Sequence, residues 1–510
     1  MQEKNIAIVD MGSNSVRIVI YSVNQRGAAV KIDDLKRSIR LSSHITKGGA
    51  IDDDGIRQLL HCLRQFKQLC DSRSVESIKG VATAALRQAK NRNDILFEIV
   101  KETGIQFEIL SGEAEARYGY LAVRASMDID EAIIVDVGGG STEISYMRDR
   151  ILIQSVSLPY GAVNITDKYY KGMDIISRRD AMPALSDLSY ELSKAPWLAG
   201  KQCPIIALGG TARSLACIHQ AKRRYSFNSI HNYKMDSYDI KLIFHFLRRT
   251  SLMFRGNIEG LSSGREDIIV GGLTMYKAII DHMDTEEFYV SSQGIRDGIC
   301  HEIVMQESNE QLDTDIVQMH MRRFAYNYKI NQSHAEHVME LSLTLYRRFI
   351  EEKLIPYGEY EAKLLKVAAF LHDIGRSINV YNTSDHTFYL LTNVNLLGLT
   401  HKERLLIALI ASYKKSKVLR NRIGDYDDIL RDSDEPLIRL LGEIVLFARV
   451  LDRTTSKQVL EVRVLLEEQR YVIECVTQKK RSIELDTALE QVRRLKKVLG
   501  RELTVRAIKK

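Results

Sequence analysis

Residues 8–20 read IVDMGSNSVRIVI and residues 134–146 read IVDVGGGSTEISY. Each is an apolar run ending in Asp, then a turn of Gly and hydroxyl residues, then a second alternating apolar run. A Gly-rich turn after a strand lets backbone N–H groups converge on an anion, because no Cβ stands in front of the oxygens. Gly12, Ser13, Asn14 and Ser15 in the first copy, and Gly138, Gly139, Gly140, Ser141 and Thr142 in the second, therefore read as phosphate-binding turns. A third turn, Gly209, Gly210 and Thr211 in CPIIALGGTARSLACIH, has the same character. Asp10 and Asp136, at the two strand ends, cannot sit against phosphate unless a cation intervenes, so the pattern implies Mg²⁺, or Mn²⁺, between carboxylate and phosphate. A single such turn can be a tight turn and nothing more. Two copies in equivalent places imply two halves of a clamp.

The elements that must hold these turns alternate. Residues 5–23 suggest a hairpin, and DDDGIRQLLHCLRQFKQLCDSR (52–73) has apolar residues at helical spacing after an acidic start. SIKGVATAAL reads as a strand entering a helix, QFEILSG as a strand and EAEARYGYLAVRAS as a helix, and the cycle restarts at EAIIVDVGGGSTEISYM. This is an α/β domain built twice. From about residue 305 to 455 strand signals give way to amphipathic helices, and beyond Lys457 a small α+β pattern of strands and one helix follows. The expected domains are 1–125, 126–305, 306–455 and 456–510.

With 510 residues the chain exceeds one hydrophobic core. No run approaches the roughly 18 uninterrupted apolar residues of a membrane helix, and MQEKNIAIVD lacks the regions of a signal peptide, so a cytoplasmic location is expected. The six scattered cysteines contain no C-x-x-C pair, which argues against a zinc or redox role. A net charge of +7 is modest, but the last stretch is cation-rich and suits a polyanion. Lys479, Lys480, Arg481, Arg493, Arg494, Lys496 and Lys497 are its candidate contacts; each alone also fits a solvated helix face.

The blocks DMGSNSVRIVI, VATAALRQAKN, ILSGEAEARYGYLAV, IVDVGGGSTEI, LGGTARSLA, GREDIIVGGLTMY and VSSQGIRDGI occur in an order that resembles the exopolyphosphatase and guanosine pentaphosphate phosphohydrolase family. That family is a branch of the actin, Hsp70 and sugar-kinase superfamily. The resemblance implies two duplicated actin-like (ribonuclease H-like) lobes, followed by an all-α HD-like domain and a small basic α+β C-terminal cap. It implies that Glu115 orients and deprotonates the attacking water, with Glu113 as the rival. It implies that Asp136 and Glu143, with Asp10 as a third, hold the metal, and that Arg17 and Arg87 pair with phosphate oxygens, a task for a planar bidentate donor. A homodimer is implied as well. The third turn is compatible with either nucleotide or phosphate binding.

LHDIGRS (371–377) resembles the HD metal-dependent phosphohydrolases, which would enlist His334, His372, Asp373 and His386, with Asp452 near the final Asp position. Where H-x-H is expected up to His386 the chain reads Ser384-Asp385-His386, and ASYKK lacks the His expected after A-x-Y, so a depleted scaffold is preferred to a second active centre. The expected activity is Mg²⁺-dependent release of orthophosphate from the end of inorganic polyphosphate. The alternatives are removal of the 5′-terminal phosphate of guanosine pentaphosphate (pppGpp), or a non-catalytic binder of polyphosphate or alarmone. No role in nucleic-acid binding is expected.

Overall fold

The structure, a computed structural model, describes residues 4–24, 29–308, 315–467, 470–477 and 482–509. It divides into two compact units, Met1–Tyr225 with Ile230–Thr314, and Ser226–Ser229 with Asp315–Lys510.

The first unit holds two sheets. One is formed by β1 (Lys4–Met11), β2 (Ser15–Val23), β3 (Ala29–Ser38), β4 (Val75–Ala82) and β5 (Phe107–Ile109), in the order β3-β2-β1-β4-β5. The other is formed by β6 (Ala132–Val137), β7 (Thr142–Arg148), β8 (Ile151–Leu158), β9 (Ile205–Leu208), β10 (Tyr233–Asp236) and β11 (Glu287–Val290), in the order β10-β11-β9-β6-β7-β8. Read from the antiparallel edge, the two are the same construction, with β10 added to the second. Three antiparallel strands (β1–β3, β6–β8) are followed by two parallel ones, β4 and β5 against β9 and β11. The duplicated sequence motif is the β1–β2 hairpin in one lobe and the β6–β7 hairpin in the other.

Strand alternation decides which residues face the other lobe. In β1, Ala7, Val9 and Met11 enter a core private to the first lobe, where they meet Leu59, Leu63 and Phe66 of helix Asp53–Ser72. In β6, Ile133, Val135 and Val137 enter the corresponding core of the second lobe. The other parity, Ile6 and Ile8 together with Ile134, Ile206 and Leu208, enters a third core shared by both lobes. Asp10 and Asp136 have this parity, so each carboxylate stands at the end of its strand on the side toward the opposite lobe.

The shared core is completed by two helices in equivalent places, Gly112–Arg124 after β5 and Ile295–Ser308 after β11, which supply Tyr118, Leu121, Val123, Ile299 and Cys300. Their crossing is close: a Cβ on Gly298 would lie 2.1 Å from the Tyr118 carbonyl oxygen. Gly298→Ala is therefore expected to destabilise the fold by about 1–3 kcal/mol, the range for overpacking a closed interface. A lower denaturant midpoint with unchanged slope is the measurement that checks it.

In the second unit, helices such as Gln332–Glu351, Glu359–Leu371, His401–Ala411 and Glu435–Leu451 pack around apolar residues including Leu345, Val367, Leu409 and Ile444. A sheet of β12 (Val459–Glu467), β13 (Arg470–Thr477) and β14 (Leu503–Lys509) follows, with helix Ile483–Leu499 crossing between its parallel pair β13 and β14. No helix among the described residues is long and apolar enough to cross a membrane.

Candidate active site between the two lobes

The two hairpin turns have the same backbone: Gly12 N–H donates to the Ser15 carbonyl at 3.1 Å, and Gly138 N–H to the Ser141 carbonyl at 3.0 Å. Their carbonyls are occupied from outside. Ser13 and Asn14 accept from the amides of Ser42 and Arg40, while Gly138 and Gly139 accept from Ala162 and Val163, and Gly140 from the Asn164 side chain. The amides of Ser13, Asn14, Gly139 and Gly140 make no hydrogen bond to described residues. A turn whose acceptors are taken and whose donors are left over is built for an anion.

Neither Gly139 nor Gly140 has positive φ. Their glycine character comes from proximity, because a Cβ on either would stand 3.0 Å from the Ser13 side chain. The two turns thus face each other across a cavity of about 150 Å³, into which both lobes contribute. Gly12, Ser13, Asn14, Ser15, Gly138, Gly139, Gly140, Ser141, Gly209 and Gly210 line it, with Asp10, Glu115, Asp136 and Glu143.

Glu115 lies one turn into helix Gly112–Arg124, whose first turn is fixed by Ser111 accepting from the Ala114 amide at 3.1 Å. It is 4% exposed, whereas Glu113 faces solvent. The Arg87 guanidinium donates to the Glu115 carboxylate and, at 2.7 Å, to the Leu110 carbonyl. Burial and the charge of Glu143 push the Glu115 carboxyl well above the usual range, and Arg87 pulls it back in part. Glu143 is also raised, by burial and by Asp136, although Ser157 Oγ donates to it at 2.9 Å. Asp136 is pushed up to about 6 by burial, against the pull of Arg213. Its partner across β6 and β7 is Glu143, as Asp10 faces Arg17 across β1 and β2.

Three lining arginines are not among the expected site residues: Arg213, Arg265 and Arg296. Arg213 begins the second turn of helix Gly209–Arg223, Arg265 precedes helix Ile269–Met283, and Arg296 lies at the start of the helix that mirrors the one bearing Glu115. Arg296 is ion-paired with Asp10. Arg213 is pulled down to about 10 by burial and by the neighbouring arginines, so an anion among them relieves mutual repulsion. They stand inside GGTARS, GREDIIV and GIRDGI, but one arginine at or near the start of each of three separate helices has no spacing that marks it.

The third turn has two tasks. Gly209 has φ +84° and a Cβ there would lie 2.5 Å from Asp136 Oδ1; a Cβ on Gly210 would lie 1.8 Å from Arg265 Nη2. Gly210→Ala must therefore displace the flexible end of Arg265 more than the fold. The expected result is a KM raised by about tenfold or more, from loss of a charge-assisted contact, with little change in Tm; steady-state kinetics alongside a melting curve test it.

Some expected residues are placed elsewhere. Arg17 does not line the cavity; it is held by Asp34, with Nε to Oδ1 at 2.5 Å, because β3 brings an acidic residue beside it. Thr142 donates to the Tyr160 carbonyl at 2.6 Å, and Thr211 is fully buried against Gly272. Asp10, Asp136 and Glu143 do not present three ligand atoms close together, since Asp10 is turned to Arg296 and Glu143 to Ser157; among the described residues only His334, His372 and Asp373 do so. His386, in helix Thr383–Asn393, is not part of that group. Of the basic C-terminal candidates, Arg494 is committed to buried Glu443 at 2.8 Å and Lys496 to Glu502 at 2.5 Å. Lys479, Lys480 and Arg481 lie outside the described residues.

The family profile described as "Ppx/GppA phosphatase family" matches residues 19–307, and "Ppx/GppA phosphatase, domain III" matches residues 316–493. A protein named guanosine-5'-triphosphate,3'-diphosphate pyrophosphatase from Pseudoalteromonas atlantica is 27% identical over 414 residues, covering 79% of this chain and 78% of its own. One of the same name from Photobacterium profundum is 24% identical over the same shares. Among solved structures, the Ppx/GppA family member of Aquifex aeolicus superposes with a TM-score of 0.54 at 29% identity, over 61% of this chain and all of its own. An exopolyphosphatase from Cytophaga hutchinsonii gives a TM-score of 0.55 at 22% identity, over 59% of this chain and 98% of its own, which speaks to the fold. With both profiles in order along the chain and the actin-like lobes duplicated around the cleft, this protein belongs to the Ppx/GppA phosphatase family.

Proposed function

We propose that the protein is an exopolyphosphatase, hydrolysing the terminal phosphoanhydride of inorganic polyphosphate to release orthophosphate and a chain shorter by one unit. One observation carries this reading. Free turn amides and three half-buried arginines face a group of carboxylates in a cavity none of whose lining residues is aromatic. Such a lining recognises phosphate and offers no ring on which a base could stack.

In the reaction, Glu115 accepts the proton of a water as its oxygen attacks the terminal phosphorus. The new O–P bond forms as the bridging P–O bond breaks, and the electron pair stays on the bridging oxygen of the shortened chain. Turn amides and arginines hold the equatorial oxygens in line, which is most of what phosphoryl transfer asks of a protein. Asp136 and Glu143 would hold the divalent cation: their donors are all hard oxygens, as Mg²⁺ or Mn²⁺ prefers. Mg²⁺ commonly uses one or two carboxylates with waters and substrate oxygens, so a closed cage is not required. When bound, the cation supplies neutralising charge to the phosphate oxygens.

A second reading, removal of the 5′-terminal phosphate of pppGpp by the same residues, is favoured by the names of the two curated relatives. Measuring kcat/KM for long-chain polyphosphate and for pppGpp in the same Mg²⁺ buffer separates the two. The polyphosphate reading predicts preference for the chain; a large preference for pppGpp overturns it. Binding of either without phosphate release overturns the enzyme itself and leaves a regulator.

A further inference from the structure

The second lobe carries a separate cavity, of about 490 Å³, which shares no lining residue with the one between the lobes. Three helices form it. Arg178 opens helix Arg178–Ser193, His245, Arg248 and Arg249 lie in the last turns of helix Ser237–Arg249, and Lys277 lies in helix Ile269–Met283. The start of the first is tied to the end of the second: the Ile176 amide donates to the Arg248 carbonyl at 2.8 Å, and Arg248 Nη1 donates to the Ile176 carbonyl at 2.9 Å. That pairing brings the three arginines together. None of the residues that line the cavity is acidic.

The polar side chains on this wall are all donors. Arg248 is 9% exposed; its Nε donates to His245 Nδ1 at 3.1 Å and its Nη1 to Ile176, while Nη2 makes no hydrogen bond to described residues. Because His245 Nδ1 accepts, the ring proton sits on Nε2, and the neutral imidazole is a further donor. Arg178 and Arg249 are exposed and have no ion pair or hydrogen bond among the described residues. Lys277 is paired with Asp281, which Lys241 also engages at 2.9 Å. Burial, and then the charges of Arg249 and Arg178, hold Arg248 below its ordinary value. Burial and the charges of Arg248, Lys277, Arg178 and Arg249 do the same to His245. Three guanidinia without a carboxylate are relieved by an anion of two or more charges.

We propose that this cavity binds a phosphorylated anion bearing an apolar or planar group, of the class of a nucleoside diphosphate. The fork of a guanidinium matches phosphate oxygens two at a time. The apolar requirement comes from the rest of the wall. Met182 and Leu185 follow Arg178 at i+4 and i+7, on one face of their helix, and Met182 is 53% exposed, a soft surface on which a base can lie. Phe244, 1% exposed, lines the same cavity from the facing helix. Pyrophosphate would use the arginines and leave that face bare. The volume is that of a small-ligand site. The site is separate from the hydrolytic centre and independent of which substrate that centre takes.

The test titrates ADP and GDP, with pyrophosphate for comparison, into the full chain in EDTA, followed by calorimetry. One nucleoside diphosphate per chain is expected, at submillimolar Kd and about tenfold or more tighter than pyrophosphate, the gain from covering an apolar face. Arg178→Ala and Arg249→Ala remove side chains that have no partner in the fold, so Tm should hold. Each should weaken binding by about tenfold, the loss of one charge-assisted contact. Arg213→Gln, in the cavity between the lobes, should leave this binding unchanged. Absence of binding of both nucleotides to the wild-type chain below millimolar concentration overturns the proposal, and so does pyrophosphate binding as tightly as they do. Nucleotide binding that survives in the double Arg178→Ala, Arg249→Ala variant, or that Arg213→Gln abolishes, places the ligand elsewhere and overturns it equally.

Discussion

Glu115→Gln is expected to lower kcat by about 10²–10⁴-fold, the contribution of a positioned general base, while substrate affinity stays within a few-fold. The amide keeps the shape and can still accept from Arg87, but cannot take a proton from water. A Glu115→Gln protein with near-normal kcat would remove Glu115 from the mechanism. The same substitution has a second consequence in the metal-free protein. The folded-state pKa of Glu115 is raised, so its favourable contribution is fully present below the unfolded carboxylate value and is lost as pH rises through the folded one. The variant has no such loss. Melting curves in EDTA from pH 5 to 9 should show it gaining on the wild type as pH increases.

Arg87→Gln should shift the acidic limb of the kcat/KM pH profile upward and lower the rate near pH 7 by about 10–100-fold, with partial recovery in alkali. The sign follows from the site. Burial and Glu143 favour the protonated form of Glu115, and Arg87 opposes them. Removing the guanidinium leaves the base protonated to higher pH, so a smaller fraction is active at neutrality. Breaking a buried pair usually costs about 3–5 kcal/mol, but here Glu115 can take up a proton, which limits the loss of stability. A uniform fall in rate at every pH would mean that Arg87 only supports structure. Because the charge of Glu143 is one cause of the raised Glu115 carboxyl, the limb reflects both groups.

The local periodicities carry a great deal. The hairpins at 5–23 and 132–148, the helix after Asp52, the strand-to-helix junction at Gly209 and the helical character after residue 315 all follow from spacing and turn residues. Ser111 and Asp52 mark helix starts because their side chains accept from Ala114 and Gly55. Strand β3 is largely exposed and charged, and its pairing with β2 rather than its composition makes it a strand; β8 is uncharged but half-exposed, and it is held as a strand by β7. Arg17 is turned from the cavity because Asp34 of β3 stands beside it, a cross-strand neighbour that the motif around Arg17 does not encode.

The sequence alone determined the repeated Asp and Gly-hydroxyl turns, and alternation within each strand put Asp10 and Asp136 on one parity. Those are short-range properties, set by steric limits on φ and ψ and by a two-residue repeat. Only the tertiary structure decided that this parity faces the opposite lobe, that Gly139 and Gly140 are small because Ser13 stands against them, and that Arg213, Arg265 and Arg296 join one cavity. It also decided that His334, His372 and Asp373 meet while His386 stays apart. Charges and close contacts between residues tens to hundreds of positions apart depend on how helices cross and sheets pack, and no local pattern encodes a crossing in which Gly298 lies against the Tyr118 backbone.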